Sequence, residues 1–276
     1  MKTEHILVIG GTGKTGRRIV QQLQELGHQV RIGSRSSTPS FDWHQPEEWG
    51  EALTGIDKVY ITYQPDLAVP GALEAIEQLV NEAKKAQVKK LVLLSGKGER
   101  EAQLCEQVII HSGIDYTIVR ASWFNQNFSE NFLLEPILEG VVALPQADVQ
   151  IPFVDVNDIA EVAVKVLLDD KHTGYIYQLT GPQTLTFKDA IDAIATASNR
   201  NIAFVPVSVQ EYGQGMRQAN LPEDFIWLIE YLFTEVLGNP NNAEITNDVE
   251  KVLGRKATDF NEYVQKTVTT GVWDKK

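Results

Sequence analysis

Cysteine is almost missing from this chain. Cys105 stands alone among 276 residues, so no disulfide can close within the chain, and the composition suits a reducing cytosol. Positive charge is also short. Lysine and arginine number 25 against 37 acids, a net charge of −12. Such a balance gives no electrostatic footprint for nucleic acid or for an anionic membrane surface. No apolar run reaches the ~20 residues that a bilayer span requires. The start, Met1-Lys2-Thr3-Glu4-His5, carries no signal-peptide apolar region, so the expectation is a cytoplasmic protein without a membrane partner. His5, His28, His44, His111 and His172 are scattered, with no metal-ligand spacing to acids or cysteine. The Gly-x-Ser-x-Gly elbow is absent too, which removes support for a hydrolase of that kind. Neither repeats nor low-complexity stretches occur.

What is present is alternation. Ile6-Leu7-Val8-Ile9 is a short apolar run that fits a buried strand, and Ile19, Val20, Leu23 and Leu26 follow on one face of a helix. Further strands are expected at 30–33, 58–62, 90–94 and 116–120, with helices between them, one of them over 68–86. Strands and helices in this rhythm predict a parallel sheet with right-handed crossovers. Beyond about residue 122 the strand signals thin to 141–144, 153–154, 175–179 and 203–207, and helices dominate. The apolar segment 223–237 reads as a core or lid-packing helix, or as the wall of a substrate pocket or dimer. The fold expected is α/β, a Rossmann doubly wound parallel sheet over residues 1–150. A smaller, mainly helical region over 151–276 would complete the sheet and roof the substrate crevice.

Between the first strand and the first helix lies Gly10-Gly11-Thr12-Gly13-Lys14-Thr15-Gly16. Gly13-Lys14-Thr15 looks like the end of a P-loop. That motif needs a glycine at the position of Val8, so the nucleoside-triphosphate reading fails on spacing. Gly10-x-x-Gly13-x-x-Gly16 remains, close to the dinucleotide fingerprint with its first gap widened by one. Glycines there let the backbone approach a pyrophosphate, and the helix N-terminus supplies N–H groups and a positive dipole end. The second strand ends in Gly33-Ser34-Arg35-Ser36-Ser37, and no acid occurs between Glu25 and Asp42. An NAD site usually places an acid there for the ribose hydroxyl, whereas an NADP site offers arginine to the 2′-phosphate. Arg35, helped by Ser34 and by Lys14 in the loop, therefore points to NADP(H). Asp42 and Trp43 are candidates to border the adenine.

Taken in order, several further segments complete a pattern. They are Lys90-Leu-Val-Leu-Leu-Ser95, Ser112-Gly-Ile-Asp-Tyr-Thr-Ile-Val-Arg120, Trp123-Phe124 with Asn127, Phe153-Val-Asp-Val-Asn-Asp-Ile-Ala160 and Leu179-Thr-Gly-Pro182. With the glycine loop, they make the chain resemble the NmrA-like branch of the atypical short-chain dehydrogenase/reductases over nearly its whole length. Within that branch it is most similar to bacterial proteins related to the ergot-alkaloid dehydrogenases and, more distantly, to triphenylmethane reductase. The resemblance implies a Rossmann domain, a small C-terminal substrate domain and NADP(H).

The chain departs from the wider superfamily at the catalytic pair. None of its eight tyrosines has lysine four residues on, so Tyr-x-x-x-Lys is absent. Tyr116 and Arg120 come nearest but fall on a strand. Three readings stay open. The protein could reduce an iminium or electron-poor conjugated substrate that accepts hydride directly, with the cofactor carrying the chemistry. Another donor could serve a carbonyl or quinone: Ser95, Lys97 or Tyr63. Or the protein could be a dinucleotide-binding sensor that acts through a protein partner. Tyr63, Ser95 and Gly96, at strand ends, are also candidates to touch the cofactor. Trp123, Phe124, Asn127 and Phe128 are candidates for the substrate pocket, with interdomain packing the alternative. Asp155 and Asp158 sit where a helix begins, a favourable place for negative charge without a function. Cys105 falls on a helix, where a buried, inert thiol is the default.

Overall fold

The computed structural model describes residues 3–274. The strands are β1 (His5–Ile9), β2 (Gln29–Gly33), β3 (Lys58–Ile61), β4 (Lys90–Gly96), β5 (Asp115–Ala121), β6 (Val141–Leu144), β7 (Ile176–Leu179) and β8 (Ala203–Pro206). The helices are α1 (Lys14–Glu25), α2 (Trp49–Leu53), α3 (Ala72–Lys85), α4 (Arg100–Ile110), α5 (Asn127–Glu130), α6 (Leu134–Glu139), α7 (Val156–Leu168), α8 (Phe187–Ala197), α9 (Val209–Gln218), α10 (Glu223–Tyr231), α11 (Asp248–Leu253) and α12 (Phe260–Val268). Six strands form one sheet in the order β2-β1-β3-β4-β5-β7, and β6 pairs with β8 in a second. β1 pairs in parallel with both β2 and β3, and β3-β4 and β4-β5 are parallel as well. The chain steps from β1 to one side and then returns to the other. The topological switch point therefore lies between β1 and β3, where doubly wound sheets place their ligands.

Two compact units share the chain. The first comprises residues up to Ala121, Asn157–Gln178 and Asp248–Arg255; the second comprises Ser122–Val156, Leu179–Asn247 and the residues from Lys256 on. A single cut in the sequence, such as one at 150, does not separate them, because α7 and most of β7 return to the first unit. In that unit Leu7, Ile9, Val59 and Ile61 of the sheet pack with Ile76, Leu79 and Val80 of α3 and Cys105 and Ile109 of α4. All are at most 5% exposed. Strands buried on both faces read as continuous apolar runs, which is why β1 was legible. At the start of the sheet, the buried Lys58 Nζ donates to the Leu167 carbonyl at 2.9 Å, and Lys90 Nζ to that of Asp169 at 3.4 Å. Cations there complement the negative end of the α7 dipole.

The core of the second unit is aromatic. Phe128 meets Phe153, Phe187 and Phe260 with ring centroids 5.4–6.5 Å apart. Trp273 is fully buried and donates its indole N–H to the Phe128 carbonyl at 2.8 Å. Three elements differ from the sequence expectation. The helix expected from residue 68 begins at Ala72, because Gly71 at its N-cap has φ +88°, outside the helical region. The strand expected at 153–154 is a single bridge between Val154 and Phe124. The helix expected over 223–237 is α10 followed by a π-helical turn, Leu232–Leu237, whose Phe233 lies 5.4 Å from Trp123.

Candidate functional site

The glycine loop leaves β1 at the switch point. Each glycine there has its own reason. Gly10 has φ +71°, and its N–H donates to the Gly33 carbonyl at 2.9 Å, tying the loop to the end of β2. A Cβ on Gly11 would stand 2.9 Å from both the Val8 carbonyl oxygen and Ile32. A Cβ on Gly16 would overlap the Gly10 carbonyl oxygen, so only glycine lets α1 approach the loop this closely. Gly13 is the N-cap of α1. It offers no side chain to the first turn, which also holds no acid. The first turn of this twelve-residue helix thus leaves its positive dipole end without an acid of its own. Thr12 is exposed, Lys14 half-buried and Thr15 buried. Below Thr15 lies Tyr60 of β3, fully buried, its hydroxyl beside Thr15 without a well-formed hydrogen bond. Burial drives that phenol well above its ordinary value. The cradle, its close helix contact and its open dipole end fit a pyrophosphate.

At the end of β2 the serines fold the chain back. Ser37 Oγ accepts from the Ser34 N–H at 3.1 Å and donates to the Ser34 carbonyl at 2.8 Å. Ser34 and Ser36 hydroxyls lie 3.3 Å apart. This small turn presents Arg35 to solvent. Asp42 caps its own turn, accepting from the His44 N–H at 3.0 Å. Trp43 joins a cluster with Phe41 and Trp49, and its ring centroid is 4.6 Å from that of Tyr63.

The carboxyl ends of β3 and β4 hold the remaining candidates of this unit. Thr62 contacts Gly10: a Cβ there would sit 3.2 Å from its side chain. Gln64 reaches toward Gly13. Tyr63 is half-buried, and burial raises its phenol above the ordinary value, with Cys105 and Glu74 adding to the shift. Ser95 is buried, and its hydroxyl donates to Glu106 Oε1 at 2.6 Å. Arg120 Nε donates to the same oxygen at 2.8 Å, so Glu106, fully buried on α4, joins Ser95 to Arg120. The Ser95 proton is thereby directed into the fold. Lys97 is buried, with its N–H on the Ala121 carbonyl at 2.9 Å. Burial also pushes the Cys105 thiol up to about 12, so it is no thiolate at neutral pH.

In the second unit Phe128 is wholly core and Trp123 half-buried against Phe187 and Phe233. Phe124 bridges Val154, and Asn127 opens α5. Between them Gln126 is buried, donating to Asp155 at 2.9 Å and accepting from the Val156 N–H at 2.8 Å. Asp155 thus helps to fix the start of α7, and in the first unit Asp158 pairs with Arg255 at 2.8 Å. A Cβ on Gly181 would overlap the Phe153 carbonyl oxygen, which explains the glycine of Leu179-Thr-Gly-Pro182. Sequence reasoning missed Glu106, although a charge on the apolar face made by Ala102, Cys105 and Ile109 was a signal. It also missed Gln126. Among the described residues, no group of histidine, cysteine and acids could hold a metal ion, and no helix is long and apolar enough to cross a membrane.

The sequence pattern of the NAD(P)H-binding family matches residues 10–170, from the glycine loop through α7. The chain belongs to the NAD(P)H-binding family. Similar proteins include prestalk A differentiation protein A of Dictyostelium discoideum, 27% identical over 95% of this chain and 92% of that one. NAD(P)H azoreductase of Xenophilus azovorans is 29% identical over 94% and 96%. Festuclavine dehydrogenase of Aspergillus fumigatus is 28% identical over 94% and 96%. Among solved structures, triphenylmethane reductase of Citrobacter sp. complexed with NADP(H) superimposes with a TM-score of 0.75 at 21% identity, covering 95% and 99%. NmrA, a negative transcriptional regulator in complex with NADP, gives 0.74 at 18%, covering 98% and 97%. These structures share the chain's Rossmann sheet.

Proposed function

We propose that the protein is an NADP(H)-dependent oxidoreductase. It passes hydride to a small or medium organic acceptor, an imine or iminium, a quinone or another conjugated system, without a Tyr-x-x-x-Lys pair. The observation that carries this reading is the pair of cofactor elements in one unit. The glycine cradle meets an α1 N-terminus free of acids, and the acid-free serine turn after β2 presents Arg35. The dinucleotide supplies hydride when bound. Gly10 to Gly16 hold its pyrophosphate, Arg35 and Ser34 take the 2′-phosphate, and Tyr63, Ser95 and Gly96 border the nicotinamide. Trp123, Phe124, Asn127 and Phe128 are the candidates for the acceptor, with Phe128 acting from the core as support. The NAD(P)H azoreductase and the festuclavine dehydrogenase among the relatives support the class.

A second reading has its own observation. The Ser95 hydroxyl is held by Glu106, which removes the usual strand-end donor and suits a non-catalytic redox sensor acting through a protein partner. Mixing the protein with NADPH and a panel of quinones, azo compounds, imines and cationic dyes separates the two. The enzyme consumes nicotinamide absorbance with at least one acceptor. The sensor binds NADPH tightly and consumes none.

A further inference from the structure

β3 lies beside β1 in the sheet, with Tyr60 level with Val8, so the chain leaving β3 emerges against the glycine loop that leaves β1. An extended chain turns successive side chains to opposite faces. Val59, Ile61 and Tyr63 go one way, to the core that the sheet makes with α3 and α4. Tyr60, Thr62 and Gln64 go the other, toward the loop and α1. The Thr62 side chain stands 3.2 Å from where a Cβ on Gly10 would be, and Gln64 Nε2 stands 3.9 Å from the same point on Gly13. Gly13 is the N-cap of α1, so the Gln64 carboxamide lies at the mouth of the cradle. Gln64 is exposed, within reach of a ligand. Its side chain makes no hydrogen bond with a described residue, so the amide is committed to nothing else in the fold.

We propose that Gln64 is a pyrophosphate-binding residue, whose Nε2–H donates to a phosphate oxygen of the dinucleotide seated on the α1 N-terminus. This rests on the dinucleotide reading of the glycine loop and adds a side chain to a cradle that the glycines build from backbone. Glycines bring the loop close but carry no side-chain donor. The first N–H groups of a helix point along its axis and meet the phosphates from that direction alone. Gln64 comes from β3 and supplies a donor from a second direction. One phosphate oxygen can join two N–H donors whose nitrogens are up to about 6 Å apart, because each bond spans about 3 Å. The 3.9 Å approach of Gln64 to Gly13 falls inside that span.

The chemistry of the side chain sets what it reads. A carboxamide is neutral and can donate, whereas a carboxylate of the same shape only accepts and would repel phosphate. NADPH and NADH carry the same pyrophosphate, so Gln64 serves both alike, while Arg35 separates them by the 2′-phosphate.

Two variants test this. Gln64→Met keeps the length and removes the donor; Gln64→Glu keeps the shape and replaces the donor with charge. Gln64→Met should weaken NADPH and NADH by the same factor, about tenfold or more, in fluorescence titrations. Gln64→Glu should weaken both further, and the extra loss should shrink as salt is raised. Thermal midpoints should stay within about 2 °C of wild type, because the side chain is exposed. In phosphorus NMR spectra of NADPH bound at saturation, the pyrophosphate resonances should move in Gln64→Met while the 2′-phosphate resonance holds. Native NADPH affinity in Gln64→Met, a loss confined to NADPH, or unmoved pyrophosphate resonances overturns the proposal. A wild type that binds neither dinucleotide overturns the proposed function itself.

Discussion

Replacing Gly16 with alanine tests the geometry on which the cofactor site stands. In a solvent-exposed helix, glycine to alanine gains roughly 1 kcal/mol of stability. Here the new Cβ would lie 2.7 Å from the Gly10 carbonyl carbon and 2.8 Å from Gly11 Cα, and would overlap the Gly10 oxygen. The obstacle is backbone, which cannot rotate aside. Overpacking of this kind costs about 1–3 kcal/mol, and a backbone obstacle belongs at the upper end. Setting about 3 against the gain of about 1 leaves a net loss of about 2 kcal/mol. That corresponds to a fall of about 4–8 °C in Tm for a chain of this size. Moving α1 from the loop also disturbs the N–H groups that would meet the pyrophosphate. One charged hydrogen bond is worth about 1.5–3 kcal/mol, so NADPH affinity should fall at least tenfold. Gly215, inside α9, has nothing within 4 Å of its would-be Cβ. Gly215→Ala should therefore raise stability by about 1 kcal/mol with binding unchanged. Scanning calorimetry and NADPH fluorescence titration read both variants. A G16A protein as stable as G215A, with native affinity, would refute the close-packing account.

Other outcomes follow from the same structure. Arg35→Ala should weaken NADPH about tenfold or more and NADH by less than about twofold, in parallel titrations; equal losses contradict the 2′-phosphate assignment. Glu106→Ala strands the Arg120 guanidinium and frees Ser95, and should cost about 3 kcal/mol in denaturant unfolding, since loss of one partner leaves a half-buried charge unpaired. Ser95→Ala removes a hydroxyl directed at Glu106 rather than at substrate, so kcat should change by less than about threefold. His172 is buried, with Nδ1 2.7 Å from the Tyr177 hydroxyl and Nε2 without a partner, and burial holds its pKa below the ordinary value. Its folded form is neutral while the unfolded chain takes up a proton near pH 6.5, so its stabilising effect falls with acid below about that pH. His172→Gln should flatten that limb of the stability curve relative to wild type; an unchanged slope contradicts the assignment. Asp66 and Glu99 act oppositely. Burial raises both carboxyl groups above their ordinary range, so their contribution is present at low pH and lost as pH rises through the raised values.

Much of the first unit could be read from the chain because its signals are local. The apolar run of β1, the glycines fixed by backbone approach and the acid-free end of β2 each carry their reason within a few residues. Helix boundaries were less clear: α3 begins late because of Gly71, which the Pro70-Gly71 dipeptide hinted at. What escaped were side-chain pairings across long sequence separations. Nothing near Ser95 in sequence says that Glu106 accepts its proton, nor does Arg120 announce the same carboxylate. Those contacts exist because parallel strands bring successive strand ends together, and only the folded chain shows which side chains meet there. The aromatics after β5 showed a similar limit. Trp123 and Phe128 look alike as pocket candidates in sequence, yet Phe128 is sealed in the core while Trp123 stays half-buried.

The most direct test is anaerobic and stoichiometric. Purified protein is given NADPH and a panel of neutral quinones and azo compounds, and loss of nicotinamide absorbance is measured beside formation of reduced product. The account predicts one product reduced per NADPH consumed for at least one acceptor, faster with NADPH than with NADH. Tight NADPH binding with no consumption across the panel would contradict it.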